Sequence, residues 1–309
     1  MPHLPMGIFR HGDTHRDAAS VSATAGNIPR AIALMCFAGL WFGVSSAILK
    51  ACCTSVQPFE CAFFRTGVGF VILLVMTLLG LRPRTAGQRV GLLFLRGFLG
   101  AVGALSYIWS ISRLELGLAN GLNQTSPVFV CLFAAIFLRE RFGWWVYALV
   151  GLAFVGITLI VHPDVGGIKP AALIALGSGV FSALAYTCVR VLQKTESSET
   201  IVMWLLGTST LVAGLSAIFV PWTMPDALTW VGLVGAGLTA FAAQIFMTRA
   251  YRYAPATIVA PFIYVSTFSS LIMAFFIWDE LPGTAALVGC AIVVASAILI
   301  GVLPKRVRT

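Results

Sequence analysis

Eight stretches of this 309-residue chain run for at least 19 residues without Asp, Glu, Lys or Arg: 31–49, 116–138, 142–163, 170–189, 200–225, 227–248, 253–278 and 281–304. Each is long enough for an α-helix to cross ~30 Å of hydrocarbon at ~1.5 Å per residue. Two more stretches, 58–81 and 90–112, reach that length with one arginine apiece, Arg65 and Arg96. Lipid offers the backbone no hydrogen-bond partners, so runs this long and apolar must form helices. The chain therefore reads as an all-α membrane protein with ten transmembrane helices.

Composition excludes the soluble alternatives. Charged residues make up 10% and hydrophobic residues 59%, where a soluble domain carries about 25% charge. The net charge of +9 does not point to nucleic acid, because the basic residues stand in short turns rather than in one patch. The seven cysteines fall mostly inside spans without paired zinc-type spacing, so they read as small buried hydrophobes. Cys52, Cys53 and Cys61 flank one short loop, where a disulfide is conceivable but unsupported by the sequence. No cofactor-binding motif, phosphate loop or nucleotide-binding domain is present, and the short loops leave no room for a soluble catalytic domain.

Lys and Arg set the expected orientation. With a cytoplasmic N-terminus, 15 of them fall in cytoplasmic tails and loops, from Arg10 to Arg308. Only Lys50, Arg113 and Lys169 fall outside. Cationic loops resist translocation, so both termini are expected in the cytoplasm of a bacterial inner-membrane protein. Residues 1–29, with His3, His11 and His15, read as a disordered cytoplasmic tail rather than a metal site or signal peptide. Residues 305–309 form a short basic tail.

The chain is written twice. AGLWFGVSSAILK around Trp41 returns 140 residues later as GSGVFSALAYTCVR around Phe181, pairing Lys50 with Arg190. At an offset of 137, SYIWSISRLELGLAN matches AQIFMTRAYRYAPAT, pairing Tyr107 with Gln244. Each half closes with an acidic turn and a Gly-spaced helix. Five spans per half is odd, so the repeats, 30–163 and 164–304, must be inverted. Inverted repeats commonly support alternating access around a site near the midplane.

These residues resemble the drug/metabolite transporter superfamily, EamA type. The likeness rests on Trp-Phe-Gly and Lys50 in the first span, Arg65 in the second, and Pro127 followed by Arg139-Glu140-Arg141. It rests also on Gly151 and Gly156 in the fifth span, and on Pro261, Tyr264, Glu280 and Gly289 in the second half. It covers roughly residues 30 to 303. One departure is that Tyr264 falls where the first repeat has Pro127, with three more residues before the turn Glu. The resemblance implies a carrier whose cavity is lined by the first four spans of each repeat. It leaves the fifth and tenth spans on the periphery, near a candidate homodimer contact. Among relatives the chain looks most like bacterial metabolite exporters and S-adenosylmethionine- or riboflavin-type carriers.

Polar groups at depth nominate a site. Arg65 lies about seven residues into its span, ~10 Å deep. An unpaired arginine there is costly, so it either anchors a substrate carboxylate or other anion, or pairs with carbonyls or Glu60 while snorkelling outward. Arg96, about six residues from the cytoplasmic end, is expected to snorkel to that interface. Asn120, Asn123 and Gln124 share a face ahead of Pro127, as a cavity wall or as interhelical hydrogen bonds. Tyr107, Tyr186, Gln244 and Tyr264 are mid-span and expected to turn inward, and Trp41 is placed to stack a ligand.

All 11 acidic residues fall in tails, loops or helix ends. Proton coupling through a buried carboxylate is therefore disfavoured against exchange or facilitated flux. The leading expectation is a secondary transporter for a small organic metabolite: an amino acid, a vitamin-like heterocycle or a related zwitterion. The partners implied are that substrate and the lipid bilayer. The alternatives are an intramembrane enzyme and a passive channel or scaffold. An enzyme needs a Ser/His, paired-Asp or metal set at depth, and His162, beside Pro163, is the one histidine outside the tail.

Overall fold

The computed structural model describes residues 28–80, 87–137, 143–161, 170–254, 259–280 and 283–302. Residues 1–27 of the N-terminal tail, the C-terminal tail, the Arg139-Glu140-Arg141 turn, His162 and Lys169 lie outside the described residues, while residues 28 and 29, expected in the tail, begin the first helix. The first repeat contains α1 (Ile28–Cys52), α2 (Pro58–Leu78), α3 (Val90–Ile111), α4 (Leu116–Asn123), α5 (Ser126–Phe137) and α6 (Trp144–Val161). The second contains α7 (Pro170–Leu192), α8 (Ser198–Ala217), α9 (Ala227–Tyr253), a 3-10 helix (Ala260–Tyr264), α10 (Val265–Trp278) and α11 (Thr284–Val302). Helices α1, α2, α3, α7, α8 and α9 are each long and apolar enough to cross a membrane alone. With α4–α5 and the 3-10 helix–α10 as broken passages, and α6 and α11, they make ten passages.

The repeats interlock rather than sit side by side. Helix α1 packs on α9, and its repeat counterpart α7 packs on α3. Likewise α1 touches the 3-10 helix and α10, while α7 touches α4 and α5. The second helices, α2 and α8, pair with each other, as do the last ones, α6 and α11. Every principal contact made by one half is thus repeated by the other.

Polar side chains at the ends fix how the passages enter. Glu196, ahead of α8, accepts the backbone N–H groups of Gln88 (2.7 Å) and Arg89 (2.9 Å) at the start of α3. Glu60 does the same near α9, accepting the Thr223 N–H at 2.8 Å. Glu60 Oε1 is engaged there, Oε2 is buried without a hydrogen-bond partner, and no ion pair with Arg65 forms. Asp226 caps α9 by accepting the Thr229 N–H at 2.9 Å. Hydrogen bonding from Thr229 holds its carboxyl below the usual carboxylate value. Cys53 and Cys61 approach to 3.5 Å as free thiols, so the conceivable disulfide is not formed.

The fourth and ninth passages are both interrupted, and glycines let the neighbouring helix close over each break. A Cβ on Gly179 of α7 would lie 2.8 Å from the Asn123 carbonyl oxygen and 3.1 Å from that of Leu122. A Cβ on Gly39 of α1 would lie 3.0 Å from the Ser266 nitrogen and 3.2 Å from the Ile263 carbonyl oxygen. Gly39 and Gly179 are 140 residues apart, as are Asn123 and Ile263. The packing therefore aligns these passages at 140, placing Tyr264 opposite Gln124 rather than opposite Pro127. The three-residue gap expected from sequence disappears, because the break and not the proline sets the register.

Gly179→Ala forces backbone apart and is expected to cost about 1–3 kcal/mol, lowering the melting temperature of the purified protein. Gly177, on the same helix, faces open space. Gly177→Ala is expected to leave the melting temperature unchanged or raise it.

Candidate functional site

Where the two halves meet, the bundle encloses a cavity of about 90 Å³. Every one of the first four passages of each repeat contributes to its wall, and α6 and α11 contribute nothing. The two breaks explain its position: interrupted helices present free backbone and polar side chains at depth, where continuous helices would present only apolar surface.

The wall holds a set of short polar contacts. The Tyr107 hydroxyl donates to Ser46 Oγ at 2.9 Å, and Ser46 in turn donates to the Phe42 carbonyl at 2.8 Å. Gln124 Nε2 donates to the Ile263 carbonyl at 3.2 Å and to the Ser266 hydroxyl, crossing from one repeat to the other. Asn123 Nδ2 donates to Ser178 Oγ at 2.8 Å. Gln244 Oε1 is buried without a hydrogen-bond partner. These contacts tie the two broken passages to α7 and to each other.

Six of the eight residues nominated from sequence line this cavity: Arg65, Tyr107, Asn123, Gln124, Tyr186 and Gln244. Two do not. Trp41 is 37% exposed and shares an outer face with Phe37 and Leu40, at i, i+3 and i+4 spacing. That apolar stripe faces lipid, so Trp41 offers no stacking platform. Tyr264 is buried in the apolar core, with its hydroxyl unpartnered, and does not reach the wall.

Arg96 departs most from expectation. It does not snorkel: it is 1% exposed and lines the same cavity as Arg65. The signal was present in the sequence as a second intramembrane arginine. Distance from a helix end, however, says nothing about which way the side chain points. Ser46 and Ser182 also line the wall. Their signal was the repeat itself, which sets Ser46 opposite Tyr186 and Ser182 opposite Phe42 at an offset of 140.

An ion pair at the end of α1 forms a latch between the repeats. Lys50, in the last turn of α1, sits 2.5 Å from both carboxylate oxygens of Glu280. Lys50 also donates to the Leu114 carbonyl (3.4 Å) and stands 5.2 Å from the Trp278 ring centroid. Glu280 accepts the Leu116 N–H at 3.2 Å, the entry to α4. One ion pair thus joins α1, α4 and the end of α10. Acidic residues are absent from the described cavity wall itself.

The sequence model of the EamA-like transporter family matches residues 29–162 and again residues 169–302. The chain belongs to the EamA-like transporter family. It is 31% identical over 270 residues to a pseudopaline exporter of Pseudomonas aeruginosa, covering 86% of this chain and 94% of that one. A riboflavin transporter of Vibrio cholerae is 30% identical, over 74% of this chain and 78% of its own length. An S-adenosylmethionine uptake transporter of Rickettsia conorii is 24% identical, over 83% and 87%. A solved crystal structure at 18% identity shares the fold, with a TM-score of 0.63 over 89% of this chain and 96% of the other. The protein is an integral membrane transporter built from two EamA repeats, and its relatives are named for small-metabolite transport in both directions.

Replacing one member of the latch strands the other's half-buried charge. Lys50→Met and Glu280→Gln are each expected to cost about 1–3 kcal/mol. Thermal unfolding of the two single variants and the double variant should show clear non-additivity, with the double variant losing less than the sum.

Proposed function

We propose that this protein is a secondary carrier of the bacterial inner membrane, moving a small amino-acid-like metabolite by alternating access, with Arg65 as the anchor for its carboxylate. The observation that carries the reading is the arginine-bearing polar cavity at the meeting of two inverted repeats. A guanidinium with free donors binds a carboxylate through two parallel hydrogen bonds. Gln244, Tyr186 and Asn123 supply the remaining polar contacts. The small cavity volume favours a compact substrate over a drug-sized one. With Trp41 on the lipid face, a compact carboxylate-bearing metabolite fits better than a stacked heterocycle.

In this cycle both termini are cytoplasmic and the Lys50–Glu280 latch is the outer gate. Across the repeats, Arg190 stands in the place of Lys50 and Glu140 in the place of Glu280. That pair is the proposed inner gate, with Glu140 outside the described residues. The acid-free cavity wall supports exchange or facilitated flux rather than proton coupling through a carboxylate. The transporter relatives support this reading against an intramembrane enzyme.

A thermal-shift screen of the purified protein against a metabolite panel identifies candidates, and uptake into proteoliposomes tests them. Arg65→Ala is expected to lose at least ~90% of uptake, an effect above ~1.4 kcal/mol, with a smaller loss for Gln244→Ala. Normal uptake of an acidic metabolite by Arg65→Ala overturns the anchor. In cells, a maleimide that cannot cross the membrane should label Met224→Cys in a cysteine-free background but not Thr195→Cys. The reverse pattern overturns the orientation.

A further inference from the structure

The cavity holds two arginines and no acidic residue among its described lining. Nε of Arg65 and Nε of Arg96 are both buried without a hydrogen-bond partner, and neither guanidinium makes an ion pair among the described residues. The Tyr186 phenol is within electrostatic range of both. Two like charges in one low-dielectric chamber repel each other, and each lacks the counter-charge that burial demands. A single carboxylate, or a zwitterion of no net charge, leaves that chamber positive.

The scaffold does not account for the charges. Helices α2 and α8 start 140 residues apart, which sets Leu205 where the first repeat has Arg65; α3 and α9 start 137 apart, which sets Leu233 opposite Arg96. Leu205 lines the cavity and Leu233 is fully buried. The same architectural positions are thus filled by leucine in one repeat and arginine in the other. Packing has made room for the second arginine: a Cβ on Gly100 would lie 2.6 Å from an Arg96 terminal nitrogen.

Resting on the carrier reading above, we infer that the substrate is a small organic dianion, a metabolite with two separate carboxylates, one bound by Arg65 and the other by Arg96. Helix position sets the spacing. Arg65 lies about 10 Å from the Lys50 end and Arg96 about 9 Å from the opposite end, so in a ~30 Å core their Cα atoms are roughly 10 Å apart along the bundle axis.

The test uses the purified full-length protein and thermal shift with succinate, glutarate, adipate and pimelate, their monomethyl esters, serine and sulfate at matched ionic strength. At least one dicarboxylate should stabilise the protein saturably, with its monoester binding at least about tenfold more weakly. Arg65→Gln and Arg96→Gln should each reduce the diacid to the affinity of the monoester. Arg96→Gln should also melt higher than wild type without ligand, since it removes an uncompensated buried charge. Arg96→Lys, which keeps the charge but not the bidentate fork, should bind with intermediate affinity. The inference is overturned if no dicarboxylate binds, if diacid and monoester bind alike, if sulfate matches every diacid, or if Arg96→Gln keeps the diacid preference. If serine alone binds, and does so through Arg65, the two-acid substrate falls while the carrier reading stands. Failure of both arginine variants to alter binding or uptake of any ligand sinks both.

Discussion

A backbone carbonyl freed inside a membrane has no water to turn to, and the centre of this protein is arranged around two places where that happens. The breaks after Asn123 and at the 3-10 helix ending in Tyr264 leave main-chain groups of Leu122, Asn123 and Ile263 without a full helical ladder. Each break is covered by a helix from the other repeat, brought close by Gly179 on one side and Gly39 on the other. Gln124 then donates across the pseudo-symmetric centre to Ile263. The polarity of the cavity follows from this: a site that must satisfy broken backbone already contains the donors and acceptors that a metabolite uses.

Onto that symmetric frame the sequence adds charge asymmetrically. Both arginines come from the first repeat and both stand opposite leucines of the second. A frame element is expected to recur in both copies, because the same packing problem is solved twice. A group that stands in only one copy answers to something else, and in a polar cavity between helices the inferred ligand is what it answers to. The stability lost by leaving guanidiniums unpaired is regained when a substrate supplies the missing carboxylates, which couples occupancy to the compactness of the bundle.

The ten passages, the duplication and six of the nominated cavity residues were legible from the chain, because lipid turns hydrophobic run length into a direct statement of structure. Helix direction around its axis was not. Trp41 and Tyr107 are both mid-span aromatics, yet one faces lipid and the other donates to Ser46, and runs that are apolar all round carry no periodic signal to separate them. Arg96 was misplaced for the same reason. The register of the ninth passage is not legible because the offset of 137 between the third and eighth spans does not carry through to the breaks, which align at 140. The Lys50–Glu280 latch joins residues 230 positions apart, and only the inverted packing brings them together.

The interlocked packing also bears on how such a bundle changes state. Because α1 with α9 and α7 with α3 make equivalent contacts, exchanging which repeat adopts which arrangement breaks few contacts without forming their counterparts. The two arrangements are then close in free energy, and a bias of a few kcal/mol decides between them. A partly buried ion pair at one end is a bias of that size. It is opposed by the repulsion of two uncompensated cations beneath it, which favours letting solvent or an anion in. In the proposed cycle, a dianion that neutralises Arg65 and Arg96 removes the opposing force, so the binding event that recognises the substrate also favours re-forming the proposed gates.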